Sequence, residues 1–180
     1  MKVPRIHRPL HPKPGRPILQ MACCLRLGGI MHLYQHLIPE RVLIAPAVSG
    51  RSELFHRFGE AFEQTGIVDS AELVARRLEE RERILSTGIG LGVAIPHAQV
   101  PGIGSLFMAA SVHPDSLDYP SLDDQPIRLV FCLIGDTDTA ADHLAGLARL
   151  ARLARKDLGG LISCPNGEVF IRTLRVLEEV

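Results

Sequence analysis

Several features that would point to particular classes of protein are missing from this sequence. Tryptophan is absent and aromatic residues make up only 4% of the chain, so a core has to be built from aliphatic side chains. No run of about 18 apolar residues occurs, which excludes a membrane-spanning helix within the printed sequence. There is no G-x-x-x-x-G-K-[ST] motif either, and this argues against a Mg-nucleotide site of the P-loop type.

The four cysteines show no metal-binding pattern, because they form neither a C-x-x-C pair nor another ligand spacing. Cys132 lies within an apolar run and is interpreted as a small core residue. The apolar stretch 18–30 is interrupted by Gln20 and Arg26 and lacks the cleavage pattern of a signal peptide. We therefore expect a cytoplasmic protein without direct membrane insertion.

Acidic residues are absent from residues 1–30, although the whole chain has a formal net charge of zero. This segment holds six basic residues and five prolines, a composition that favours a disordered basic tail. Two interpretations stay open: the tail contacts an acidic partner, or it is not part of the native domain and translation starts at Met31. We favour the second. Residues 31–180 are predicted to form one domain with 14 basic and 20 acidic residues, a net charge of −6, which argues against nucleic-acid binding.

Hydrophobic periodicity predicts helices that alternate with short strands. Amphipathic helices are predicted over 52–66 and 69–85, from Thr139 onward with the leucines from Leu144 to Leu153 as a core face, and from Asn166. Apolar runs at 42–44, 93–95, 106–112 and 127–134 predict strands, and His113 is expected in the loop after the third. The last run is apolar on both sides, as in a sheet covered by helices. The prediction is an α/β fold, a three-layer α/β/α sandwich with a mixed sheet of about four to five strands.

The most informative stretch is 81–98, RERILSTGIGLGVAIPHA. Its three alternating glycines predict a loop whose backbone N–H groups could approach an anion, with two hydroxyl side chains directly before it. The next strand is predicted to end at Pro96, which has no N–H to pair, so that His97 lies at the strand end, where open α/β sheets bind ligands. The predicted phosphate pocket consists of Ser86, Thr87, Gly88, Gly90 and Gly92.

The run STGIGLGVAIPHA, with Arg81-Glu82 before it and Asp142-His143-Leu144 after it, resembles a known family. It is similar to the enzyme IIA domain of the mannitol/fructose type (type 2) of the bacterial phosphoenolpyruvate-dependent phosphotransferase system (PTS). The resemblance covers about residues 31–180 and is strongest to the nitrogen-regulatory branch, which stands alone as one domain and regulates other proteins.

The resemblance implies that His97 accepts a phosphoryl group from the phosphocarrier protein HPr or its nitrogen-branch counterpart. His143 and Arg81 would then stabilise the transferring phosphoryl group, and the loop from Thr87 to Gly92 would shape the pocket. Because the donor is already an activated phosphohistidine, no cofactor and no metal are expected. One departure concerns position 99, where Gln99 replaces an arginine that is frequent in the family. It bears on partner docking and not on the acceptor chemistry.

The chemistry of the two histidines suits this role. Imidazole is largely neutral and nucleophilic at pH 7, and the phosphoryl group it receives carries about two negative charges that need donors. If Thr139 is the N-cap of its helix, His143 lies in the first turn, where the helix dipole favours anions. Asp142 could orient an imidazole or simply stabilise the helix start.

Alternatives to a regulatory phosphocarrier stay open at this point. A sugar-specific IIA component would pass its phosphoryl group to a cysteine of a IIB domain. A binding module would keep the fold without being phosphorylated. A hydrolase or metal enzyme built on His97, His143 and Asp142 is disfavoured, because these three residues lack a ligand spacing such as H-x-x-x-H.

Overall fold

A single mixed sheet organises the fold in the computed structural model, which describes residues 32–179. The predictions made for residues 1–30 lie outside this range. The six strands are β1 (Val42–Ile44), β2 (Gly88–Gly90), β3 (Val93–Ala94), β4 (His97–Gln99), β5 (Leu106–Leu117) and β6 (Ile127–Gly135). Their order is β1-β5-β6-β3-β2, and β4 also pairs with β6. Strands β5 and β6 are antiparallel, whereas β3 and β4 both run parallel to β6.

Helices cover both faces of this sheet. They are α1 (Arg51–Gln64), α2 (Ala71–Glu82), α3 (Ala140–Leu153), α4 (Gly159–Ile162) and α5 (Gly167–Glu179), with 3₁₀ turns at 33–36, 39–41 and 137–139. Ser70 caps α2, because its side chain accepts a hydrogen bond from the Leu73 N–H.

Strand β6 divides the core into two clusters, since successive side chains of a strand point to opposite faces. Leu129, Phe131 and Leu133 pack with residues of α3, α4 and α5. Val130, Cys132 and Ile134 pack with the phenylalanine face of α1 and the apolar face of α2. The predicted α/β/α sandwich with a mixed sheet is confirmed, with six strands instead of four to five.

The sequence pattern misplaced the end of β5 and therefore His113. The strand continues to Leu117, and His113 lies within it at 5% exposure, not in a loop. Its Nε2 atom is 2.9 Å from the Ser111 hydroxyl, two residues back on the same side of the strand. The proline at 114 misled the prediction, because a strand can hold a proline where no N–H is needed for pairing.

The glycine-rich segment is also different from the predicted loop. Gly88–Gly90 is a strand that pairs antiparallel with β3 through a turn at Leu91 and Gly92. Pro96 does not end the pairing with β6, because His97 is the first residue of β4, and β4 also pairs with β6. His97 therefore lies inside a short strand and not after one.

The leucine face predicted for α3 is only partly buried. Leu150 and Leu153 belong to the core, whereas Leu144 is 69% exposed. His143 and Gly146 face the sheet in its place. The helix is thus rotated so that its N-terminal half presents a histidine inward and a leucine outward.

Candidate functional site

Three elements meet at one open cavity of about 510 Å³: the last turn of α2, strand β4 and the first turn of α3. Each contributes a residue predicted for the site, namely Arg81, His97 and His143. Residues more than 60 positions apart in the chain are brought together because β4 and the end of β6 lie side by side, and α3 starts shortly after β6.

The hydrogen bonds of His97 define its tautomer. Its Nδ1 atom is 2.9 Å from the carbonyl oxygen of Ile95, and because a carbonyl can only accept, Nδ1 carries the proton. Its Nε2 atom is 3.2 Å from Nε of Arg81, and because a guanidinium can only donate, Nε2 is the acceptor. The lone pair of His97 therefore lies on Nε2, on the side of Arg81.

The surroundings of His97 also favour its uncharged form. Partial burial lowers the pKa of the imidazole, and the positive charge of Arg81 lowers it further, whereas the hydrogen bond to Ile95 acts in the opposite direction. The net pKa lies below the ordinary value of 6.5, so the ring is neutral at pH 7. A neutral ring with its lone pair on Nε2 is a nucleophile.

His143 lies next to His97 and is also neutral. The two ring centres are 5.5 Å apart with an angle of 70° between the ring planes. Burial, together with the proximity of His97, lowers the pKa of His143 to about 4. Its Nε2 atom is buried and has no hydrogen-bond partner among residues 32–179. This ring nitrogen is therefore available to a ligand.

Gly135, at the end of β6, makes room for His143. A Cβ atom added to Gly135 would lie 2.7 Å from Oγ1 of Thr139 and 3.0 Å from Nδ1 of His143. The first contact is too short and the second is tight, so a side chain here requires the side chain of Thr139, and to a smaller extent that of His143, to shift. Sequence analysis did not indicate this packing role of Gly135, because the contact is visible only once α3 is placed.

The residues predicted for the phosphate pocket do not line the cavity. The Ser86 hydroxyl contacts Glu82 and the Pro120 carbonyl oxygen, and the Thr87 side chain is buried against Glu82 and Tyr119. The three glycines approach the segment 120–126, where Pro120, Asp123 and Pro126 are their neighbours. A Cβ on Gly88 would lie 2.2 Å from the Pro120 carbonyl oxygen, so this glycine permits close backbone packing.

Residues 35–175 match the family described as "Phosphoenolpyruvate-dependent sugar phosphotransferase system, EIIA 2". The chain belongs to this family. The resemblance that was inferred from residues 81–98 is confirmed.

Relatives of this EIIA chain come from two branches. A nitrogen regulatory protein of Bradyrhizobium diazoefficiens is 37% identical over 118 residues, which are 65% of this chain and 76% of that protein. A PTS fructose-specific EIIA component of Haloferax volcanii is 32% identical over 87 residues, 48% of this chain and 56% of that protein. The crystal structure of the nitrogen regulatory protein IIA-Ntr from Neisseria meningitidis has a TM-score of 0.72 at 25% identity, covering 78% of this chain and 97% of that chain.

The EIIA cavity has an apolar rim beside its polar floor. Leu144 on α3 and Ile84, just after α2, both line it and are 69% and 80% exposed. Gln99 lines it too, and it is exposed at the end of β4. Asp142 is exposed in the first turn of α3, where its charge suits the helix dipole. The rim therefore offers apolar surface around the half-buried His97 and the buried His143.

Neither a metal cluster nor a membrane span is found in the described part of the chain. No three His, Cys, Asp or Glu side chains among residues 32–179 lie close enough together to hold a metal ion. Within the same range, no helix is long and apolar enough to cross a membrane.

Proposed function

We propose that this chain is a phosphohistidine phosphocarrier that accepts a phosphoryl group on Nε2 of His97 from HPr or its nitrogen-branch counterpart. In this proposal the phosphorylation state then regulates target proteins, as in the nitrogen-regulatory branch, and the protein works in the cytoplasm. The observation that supports it most directly is the orientation of His97: Ile95 holds the Nδ1 proton, and the Nε2 lone pair lies at the cavity.

The transfer step balances without any further reactant. The P–N bond of the donor phosphohistidine breaks and its electron pair returns to the donor ring. The lone pair on Nε2 of His97 forms the new P–N bond. The Nδ1 proton stays on the ring and remains donated to the Ile95 carbonyl, which stabilises the positive charge that develops on the imidazole. No general base is needed, since the attacking nitrogen carries no proton.

Arg81 and His143 are suited to stabilise the charge on the phosphoryl oxygens. Arg81 donates from Nε to His97 in the absence of phosphate, and once Nε2 is phosphorylated this N–H can donate to a phosphoryl oxygen instead. The ring centre of His143 lies 5.5 Å from that of His97, and the Nε2 atom of His143 has no hydrogen-bond partner among residues 32–179. Because His143 stays neutral, it donates a hydrogen bond without repelling the Arg81 guanidinium.

The test is phosphorylation of the purified chain by phosphoenolpyruvate, enzyme I and the carrier protein of the same organism, followed by intact mass. We expect an acid-labile mass gain of one phosphoryl group in the wild type and none in His97→Ala. Arg81→Ala should slow the transfer strongly, whereas the matched control Arg83→Ala, exposed two residues further on, should not. A wild type that takes up no phosphate would refute the proposal and favour the binding module.

A sugar-specific EIIA function is the second candidate, since the Haloferax volcanii relative is named as fructose-specific. The phosphorylated chain can be mixed with a fructose-type IIB domain and the phosphate followed on both proteins. Retention on His97 supports the regulatory branch, while rapid transfer to a IIB cysteine supports the sugar-specific one. The longer match to the Bradyrhizobium diazoefficiens protein favours the regulatory branch.

A further inference from the structure

The carboxylate of Glu82 is buried directly behind the nucleophile. Glu82 is the last residue of α2 and follows Arg81, yet the two side chains point to different sides: Arg81 contacts His97, whereas Glu82 is only 4% exposed. The guanidinium of Arg51 lies 3.8 Å away. Burying a carboxylate is costly unless hydrogen bonds satisfy it, so its contacts are informative.

Both oxygens of Glu82 accept hydrogen bonds from the segment that precedes β2. Oε1 accepts from the Thr87 backbone N–H at 3.0 Å and lies 2.9 Å from the Ser86 hydroxyl, whose single proton is shared with the Pro120 carbonyl oxygen at 2.7 Å. Oε2 accepts from the Thr87 hydroxyl at 2.6 Å. Because the Thr87 proton is donated to Glu82, the hydroxyl of Tyr119, 2.7 Å away, has to be the donor to Thr87. Glu82 thus fixes both the backbone and the side chain of Thr87.

Thr87 continues this connection to the nucleophile. Its carbonyl oxygen accepts the Ile95 N–H at 2.9 Å, and the Ile95 carbonyl oxygen accepts the Nδ1 proton of His97 at 2.9 Å. The path from Glu82 to His97 therefore contains three consecutive hydrogen bonds and no exposed residue. It ends at the bond that leaves the lone pair on Nε2.

We propose that Glu82 is a positioning residue for phosphoryl acceptance, which rests on the proposed function of His97. Through Thr87 and Ile95 it holds the Nδ1–H tautomer of His97. At the same time it ties the last turn of α2, and with it Arg81, to the segment behind the nucleophile. One buried carboxylate thereby orients both the attacking ring and its guanidinium partner, although it contacts neither.

Glu82→Gln tests the positioning role with little change in shape. A carboxamide has one accepting oxygen and one donating nitrogen, so it cannot accept from Thr87 on both sides. We expect the ring of His97 to lose its single tautomer. The rate of phosphoryl transfer at saturating carrier should fall about 10- to 100-fold, because small misplacements of reacting groups reduce rates by this much. The carrier concentration for half-maximal rate should not change, because the cavity rim is untouched.

Glu79→Gln is the matched control. Glu79 lies one helical turn earlier in α2 and contacts Ser52 and Arg51 of α1. It shares Arg51 with Glu82, but its side chain has no hydrogen bond to Thr87, Ile95 or His97 among the described residues. Its substitution should weaken the contact between α1 and α2 and leave the transfer rate at the wild-type value. Thr87→Val is a second test variant that removes the hydroxyl but keeps the backbone N–H, and it should give a smaller loss than Glu82→Gln.

Two readouts separate this inference from the proposed function. ¹⁵N NMR of labelled histidine reports the His97 tautomer without any phosphate, and rapid-quench kinetics reports the transfer rate. A wild type that accepts no phosphate would refute the proposed function, while the NMR spectra would still test whether Glu82 holds the ring. Unchanged histidine shifts in both Glu82→Gln and Thr87→Val would overturn the positioning role, as would transfer rates equal to those of Glu79→Gln.

Discussion

His113 should make this domain sensitive to mild acid, and a single substitution should remove that sensitivity. The imidazole lies within β5 at 5% exposure, and burial lowers its pKa from 6.5 to about 4. In the unfolded chain the same histidine takes up a proton below about pH 6.5. Protonation therefore favours the unfolded state as the pH falls from 6.5 towards 4, and the stability contributed by the neutral ring is present only above this window.

The magnitude follows from the width of this window. One pH unit between the two pKa values corresponds to about 1.4 kcal/mol, so at about pH 5 the protonation of His113 in the unfolded chain lowers the free energy of unfolding by about 2 kcal/mol. His143, with its pKa also lowered to about 4, adds a loss in the same direction. Carboxylates with lowered pKa, such as Asp136, also lower the free energy of unfolding when they are protonated at lower pH. The test therefore compares the loss of this free energy between the wild type and a variant.

The assay is urea unfolding of wild type and His113→Gln at about pH 8 and about pH 5. Glutamine can still form a hydrogen bond with Ser111 but takes up no proton, so the variant should lose about 2 kcal/mol less than the wild type between the two pH values. His56→Gln on the exposed side of α1 is the control and should behave as the wild type. Equal losses in His113→Gln and wild type would refute the reasoning.

Three further predictions concern the site and the core. Gly135→Ala should lower the free energy of unfolding by about 1–3 kcal/mol and slow phosphoryl transfer, because its Cβ displaces His143; urea unfolding and rapid-quench kinetics check both, and a wild-type rate would contradict it. Arg41→Met should keep or raise stability, by up to about 2 kcal/mol, since Nε and Nη1 of this buried guanidinium have no hydrogen-bond partner among residues 32–179 and a thioether can also pack against the Phe62 and Phe107 rings that the guanidinium faces; a large drop in thermal midpoint would contradict it. Gln99→Arg should lower the carrier concentration for half-maximal transfer without changing the maximal rate, and this gain should disappear at high salt; a gain that persists in salt would not fit.

The sequence was sufficient to predict the layers of this fold, because they depend on periodicity. The amphipathic pattern over 52–66 and the continuous apolar run at 127–134 are local patterns, and the structure has a helix and a buried strand at these positions. The end of β5 was not predictable in the same way. It depends on pairing of Leu117 with Ile127 across the sheet, a long-range contact that outweighs the local preference of a proline for a turn.

The sequence motif indicated which residues lie at the cavity, but it did not indicate correctly how the glycine segment between them packs. His97, Arg81 and His143 were singled out by resemblance and do meet at one cavity. The glycines between them were interpreted as an anion-binding loop, yet they pack against the segment 120–126. A glycine that allows backbone to approach a ligand and one that allows backbone to approach backbone are identical in sequence. Only the placement of the neighbouring segment distinguishes the two.

The adjacent pair Arg81-Glu82 shows why a site of this kind is sensitive to helix geometry. Consecutive residues of a helix point about 100° apart, so a single turn can place one side chain at the cavity and the next in the core. Here Arg81 contacts His97, and Glu82 contacts the segment that precedes β2. A shift of α2 by one residue would exchange these roles and bring a carboxylate towards His97. The negative charge of a carboxylate there would raise the pKa of the ring and repel the incoming phosphoryl group, so the register of α2 is itself a requirement of the proposed chemistry.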